Sequence, residues 1–209
     1  MLLNFKNATI KGKRRQNRRE LSSLMKYQEQ LEQLLINNPE INEIFAILRK
    51  FHLGQAYLCA GSVRTLVWNS LMQQETNLKL GNLDIFYNAQ FESAEEHQVL
   101  TTRLNQTYSK YLWSLNNLSQ INPHAGYHQN GQALPDVIAA FPETASAVGV
   151  NLDFQGKVSI IAPYGLNDLF EFKLVASPNF LTDPTKLAQF HKRVERKNWL
   201  TIWPQLTLA

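Results

Sequence analysis

Asn82 and Asp84 stand two residues apart in Asn82-Leu83-Asp84-Ile85-Phe86-Tyr87, a run with the pattern of a strand. At a period of two, Leu83, Ile85 and Tyr87 share one face, and Asn82, Asp84 and Phe86 share the other. Upstream, the apolar run from Gln55 to Ala60 ends in Gly61-Ser62, after which Val63, Leu66, Val67, Ser70 and Leu71 recur near the helical period. Ser62 suits the N-cap of that helix, and Gly61 permits a sharp turn before it. A helix N-terminus offers free N–H groups to an anion, and a carboxylate on the neighbouring strand can hold Mg²⁺ between itself and a triphosphate. Read alone, Asp84 is either such a metal ligand or a structural acid.

Other chemistry-bearing residues give weaker patterns. Ser114 and Asn116 lie on a third candidate strand and supply no further carboxylate. Asp153 and Glu143 are the remaining candidates for one, although Glu143 at a helix start reads more simply as an acid facing first-turn N–H groups. His124 and His128 are four apart, but in a glycine-containing loop without cysteine or acidic partners, which argues against zinc. Cys59 sits in an apolar strand without a histidine partner, so a nucleophilic role is not expected. Trp68, Trp113, Trp199 and Trp203 read as packing residues, and no Walker loop or Gly-x-Ser-x-Gly elbow occurs.

The elements that must carry these residues follow in order. Leu21 to Ile36 is helical in pattern, and Asn38-Pro39-Glu40 restarts a helix whose buried stripe is Ile41, Ile44, Phe45 and Leu48. Ser93 to Tyr111 is helical, Trp113 to Ser119 is a strand, and residues 121–135 form a polar loop rich in Asn, Pro, Gly and His. Asp136 is expected to cap a helix over Val137 to Ala140. Val148 to Phe154 and Val158 to Ala162 form a hairpin about Gln155-Gly156. Leu166 to Phe172 is a short helix, and Asp183-Pro184 opens a long one with Leu187, Phe190, His191, Val194 and Asn198 on one side. The expected fold is α/β, equally describable as α+β, a small mixed sheet of about five strands flanked by helices.

The charge is uneven. Residues 1–20 hold seven basic residues and one acid, a net +6, so the rest of the chain carries −2 of the total +4. Residues 1–20 therefore read as a basic, unstructured arm, either a solvated tail or a contact for RNA or an anionic surface, and residues 21–209 as a single domain. The basic balance thus belongs to the arm, nothing in the domain argues for a nucleic-acid surface, and the domain is not expected to bind nucleic acid through charge. No stretch approaches the ~18 apolar residues of a membrane helix, and the basic N-terminal stretch lacks an apolar h-region. With a single cysteine, these features predict a cytoplasmic protein without disulfides.

Together the segments resemble the nucleotidyltransferase superfamily of polymerase-β-like fold, and more narrowly a bacterial nucleotidyltransferase-like family. The resemblance rests on five blocks in order. They are Ala60-Gly61-Ser62-Val63-Arg64 with Val67-Trp68, Leu83 to Tyr87, Pro142 to Val150, Ala162 to Phe170, and Lys197-Asn198-Trp199 with Trp203-Pro204. It implies a mixed sheet and Mg²⁺-dependent (or Mn²⁺-dependent) transfer of a nucleoside monophosphate from an NTP to an acceptor that the sequence does not name. It also implies that Gly61, Ser62 and Arg64 cradle the triphosphate and that Asp84, assisted by Asn82, holds metal and carries the catalysis. Two departures bear on activity. The family's Asp-x-Asp is Asn82-Leu83-Asp84 here, and the arginine and histidine of a later block are Gln120 and Asn122. Weak or absent metal binding is expected, and the alternative function is a catalytically inactive nucleotide- or partner-binding domain.

Overall fold

A computed structural model describes residues 25–120 and 133–209. The basic arm, the expected helix start at Leu21, and most of the polar loop with Asn122, His124 and His128 lie outside these residues. A helix over residues 25–37 (α1) is followed by α2 (Pro39–Lys50). Asn38 caps α2, its side-chain oxygen accepting from Ile41 N at 3.0 Å, with Pro39 at the first helical position. Then come β1 (Tyr57–Cys59), α3 (Gly61–Leu71), a 3₁₀ turn (Leu78–Leu80), β2 (Asn82–Tyr87), α4 (Ala94–Thr107) and β3 (Leu112–Asn117). Ser93 and Glu96 close a reciprocal capping box that starts α4.

The second half runs α5 (Leu134–Ala139), a 3₁₀ turn (Thr144–Ser146), β4 (Gly149–Leu152), β5 (Val158–Ile161) and α6 (Asn167–Phe170). It ends with β6 (Lys173–Leu174), α7 (Pro178–Leu181), α8 (Pro184–Lys197), α9 (Trp199–Ile202) and β7 (Thr207–Leu208). Five strands form one mixed sheet in the order β3-β2-β1-β4-β5, in which only β2 and β3 run parallel. The β4–β5 hairpin turns at Gly156, whose φ of +80° suits glycine. The α/β architecture with a five-stranded mixed sheet matches the sequence expectation.

The sheet buries both faces, and α2 contributes the expected stripe of Ile41, Ile44, Phe45 and Leu48 to the larger core. With it lie α1, Val63, Val67 and Trp68 of α3, and Leu58, Leu83, Ile85 and Leu115 of the strands. A smaller core lies under α5, where Val137, Ile138 and Phe141 meet Cys59 and Phe86. Gly149 makes that contact feasible: a Cβ there would fall 2.7 Å from Ile138 Cδ1 and 2.9 Å from Cys59 Sγ.

One expected cap and one expected helix face are corrected. Asp136 does not cap α5. That helix begins at Leu134 after Ala133, with proline in its first turn and Asp136 one residue further in. Asp183 does cap α8, accepting from Thr185 N and Lys186 N, but only Phe190 and Val194 of the expected face are buried, while His191 and Asn198 are exposed. Asn198 instead ends α8 in the left-handed conformation, φ 52°.

Candidate active site

The β1–α3 junction differs from its sequence reading. Helix α3 begins at Gly61, its cap position is Ala60, and no side chain caps it. Ala60 takes φ 59° and ψ −123°, a conformation costly for any residue with a Cβ. Its N–H bonds Val148 O at 3.1 Å, which ties the turn to the chain entering β4. Ser62 is not the cap. Its Oγ donates to the backbone oxygen of Asn82 at 3.0 Å, joining α3 to the start of β2. Without a side-chain cap, the first N–H groups of α3 remain available to an anion.

Asp84 lies directly opposite Cys59 on β1 and Ser114 on β3. Burial pushes its carboxyl above the ordinary carboxylate range, against the opposing pull of a Ser114 hydrogen bond and of the charges on Arg193, Arg64 and Lys197. Burial likewise raises the Cys59 thiol well above its ordinary range, with Asp84 adding to the effect, so the expectation of an unreactive cysteine agrees with its setting. Asn82, two residues before Asp84 on the same side of β2, is exposed.

Arg64 is buried, only 5% exposed, so its charge lies inside the fold rather than on the surface. Its Nη1 donates to Ser146 Oγ at 2.6 Å, and its guanidinium lies 4.2 Å from the ring centre of Trp199 and 5.1 Å from that of Trp68. Burial draws its pKa down to about 10, with Glu143 pulling the other way, so the side chain stays charged near neutrality. The guanidinium sits beside the helix start, its Nη2 being 3.8 Å from where a Gly61 Cβ would lie. Gly61, Ser62, Arg64 and Asp84 therefore gather at one end of the β1–β2 pair.

Glu143, a candidate third acid whose simpler reading is to face first-turn N–H groups, and Arg193, which nothing in the sequence assigns to the site, complete the cluster. Glu143 is fully buried, makes no cap for the turn that follows it, and accepts from Arg193 Nε at 2.6 Å. Its other oxygen, Oε2, and Arg64 Nε have no hydrogen-bond partner among the described residues. The turn carrying Ser146 is held by Thr144, whose hydroxyl donates to Asp168 Oδ2 at 2.7 Å. Trp199 is more than a packing residue, since Arg193 also lies 5.4 Å from its ring centre. The other candidate third acid, Asp153, caps its own turn, accepting from Gln155 N and Lys157 N away from the cluster. Gln120 also belongs elsewhere, donating to the backbone oxygens of Glu92 and Ser93. Glu143, Ser146, Lys197 and Trp199 did fall inside the sequence blocks singled out above, but nothing local marked their roles.

As metal donors, these residues offer one carboxylate on Asp84, an amide oxygen on Asn82 and the Ser114 hydroxyl. Among the described residues no group of three His, Cys, Asp or Glu converges as a ready-made metal site. The set fits one hard cation that draws its remaining ligands from a bound phosphate chain, and it falls short of a two-ion arrangement.

A family described as Nucleotidyltransferase matches residues 46–208. No curated protein matches the chain. A solved structure described as an NMR structure that reveals a CCA-adding enzyme head domain is 26% identical, with a TM-score of 0.74 over 87% of this chain and 95% of its own. The apo form I of a tRNA-processing enzyme is 15% identical, with a TM-score of 0.50 over 82% of this chain and 44% of its own, and shares the fold. Among the described residues, no helix is long and apolar enough to cross a membrane.

Proposed function

Since the chain belongs to the nucleotidyltransferase family, we propose that it binds a nucleoside triphosphate at the start of α3 and transfers its nucleoside monophosphate to an acceptor. The observation that carries this reading is the placement of Asp84 beside an uncapped helix start and a buried, charged Arg64. The N–H groups of Gly61 and Ser62 with Arg64 would bind the phosphates, and Asp84, aided by the Asn82 amide, would hold a single Mg²⁺ or Mn²⁺. That ion would neutralise charge on the phosphates and polarise the attacked phosphorus. In the transfer, an acceptor oxygen bonds to the α-phosphorus, pyrophosphate leaves, and the acceptor proton passes to solvent. With one carboxylate where the family pattern leads one to expect two, metal binding is weak and turnover slow. The same reading keeps residues 21–209 as one domain in the cytoplasm and leaves residues 1–20 as a basic arm for RNA or another anionic surface.

A second reading rests on Asn82 and Ser114, neutral side chains beside Asp84. The domain then binds a nucleotide without turning it over. Calorimetric titration of Mn²⁺ with ATP, and separately with CTP, combined with a pyrophosphate-release assay, tests both. Asp84→Asn is expected to abolish metal-dependent nucleotide binding, and Asn82→Asp to tighten it. Identical behaviour of the wild type and both variants removes Asp84 as a metal ligand, and binding without pyrophosphate release selects the second reading.

A further inference from the structure

The −2 charge of the chain beyond residue 20 conceals a strong segregation. Helix α8 carries Lys186, Lys192, Arg193, Arg196 and Lys197 against Glu195 alone. Lys192, Arg193 and Arg196 follow helical spacing and so share one side. They line a groove of about 790 Å³ whose other walls are Pro142, Phe180, Gln189 and Glu195, so three cations face one acid there. Elsewhere, Lys79, Lys110 and Lys173 each face an acid. Among the described residues Lys186, Lys192, Arg196 and Lys197 form no ion pair, although all four are exposed. An exposed lysine side chain left free of acids keeps its full charge for an outside anion.

The groove is tied to the site already described through Arg193. That residue lines it and bonds Glu143 through Nε, and among the described residues its two terminal nitrogens make no ion pair. Arg193 also lies 5.4 Å from the centre of the Trp199 ring, which Arg64 approaches to 4.2 Å, so the cationic side of α8 reaches from the groove to the cluster beside the start of α3. Residues 192 and 196 are about 6 Å apart along the helix axis, a separation that lets one extended strand present successive phosphates to both. Regularly spaced anions running up to a nucleotide-transfer centre describe a polynucleotide better than a compact anion.

We propose that this groove is the binding site for the end of a single-stranded polynucleotide, whose phosphodiesters lie against Lys192, Arg193 and Arg196 and whose terminus points toward Asp84. The assignment deepens the transfer reading by naming the class of acceptor. It predicts a salt-dependent interaction located on α8 rather than spread over the surface.

The test uses the full chain and a labelled 12-nucleotide single-stranded RNA, titrated by fluorescence anisotropy at several salt concentrations. Lys192→Gln with Arg196→Gln is expected to weaken binding at least about fivefold and to reduce the salt slope by about 1.4, two phosphate contacts at ~0.7 each. The control Lys157→Gln with Lys173→Gln removes equal charge from the β4–β5 turn and β6, and is expected to leave both values within error. Equal losses in the two double variants, or none in either, overturn the proposal. So does a loss of Mn²⁺–ATP binding in the α8 variant with RNA binding intact, which assigns the groove to the triphosphate. Binding to anionic phosphatidylserine vesicles that the α8 substitutions abolish, with RNA unaffected, assigns it to a membrane surface and overturns it as well. Asp84→Asn separates the two readings: RNA binding kept while metal–nucleotide binding fails to respond leaves the groove standing and sinks the transfer centre.

Discussion

Arg64 and Arg193 share one aromatic ring, their guanidinium carbons lying 4.2 Å and 5.4 Å from the centre of Trp199. Two cations held near each other repel, and each lowers the stability of its neighbour's charge. The fully buried carboxylate of Glu143 offsets this, bonding Arg193 directly and supporting the charge on Arg64. Trp199 supplies a polarizable surface that costs neither cation a desolvated gap.

Glu143→Ala is therefore expected to destabilise the fold by about 3–5 kcal/mol, the range for breaking a buried ion pair on one side. Urea denaturation followed by fluorescence measures it. A loss below 1 kcal/mol (~0–1 is usual for surface pairs) would show that Arg64 and Arg193 do not depend on this carboxylate.

Asp84→Asn should raise stability at neutral pH. Burial raises the folded-state pKa of Asp84 above its ordinary value, so the folded protein binds the proton more tightly than the unfolded chain. Stability from this group is then complete below the ordinary carboxylate pKa and is lost as pH rises through the higher folded value. The variant escapes that loss, so its melting temperature should exceed wild type at pH 7.5 and converge with it on acidification toward pH ~3.5. A variant less stable than wild type at pH 7.5 contradicts the sign of this argument.

Gly149→Ala tests the smaller core. The new methyl would meet Ile138 Cδ1 and Cys59 Sγ inside contact distance, and overpacking of this kind costs about 1–3 kcal/mol. Pairing it with Ile138→Val should recover part of the loss in thermal denaturation. No recovery places the strain elsewhere.

Ala60→Gly is expected to stabilise. The φ of 59° with ψ −123° costs alanine about 1–3 kcal/mol, whereas glycine gives back only about 0.5–1 in backbone entropy. A melting temperature higher by about 2 °C or more is the expected result, and a lower one would mean that the alanine conformation is not under strain.

What the sequence made legible was local. Asn38-Pro39, the hairpin about Gln155-Gly156, and the alternation of β2 each declare themselves within a few residues, and each stands where it was read. The two-residue error at α3 has a physical origin: Ser62 has the chemistry of a cap, and nothing about an alanine announces a positive φ at position 60. Glu143 illustrates the harder limit. An acid just ahead of a turn looks alike whether it faces N–H groups or an arginine fifty residues later, and only the packing of α8 against that turn decides between them. Arg64 could be placed at the site by resemblance, but its burial depends on Trp199, which the chain brings from far downstream.

The position of α8 and α9 in the chain has a consequence for synthesis. When a ribosome has made the five-stranded sheet, Arg64 and Glu143 already exist, but Arg193, Lys197 and Trp199 do not. The nascent domain passes through a stage in which a guanidinium and a carboxylate destined for burial lack their partners. Completion of the cluster then coincides with the docking of the last helices, where Trp203 Nε1 bonds Asn69 Oδ1 at 2.8 Å and its ring packs 4.9 Å from Trp68. The cationic groove arrives with them, so a growing chain acquires its arginine–carboxylate cluster and its candidate polynucleotide track in a single late event rather than in sequence.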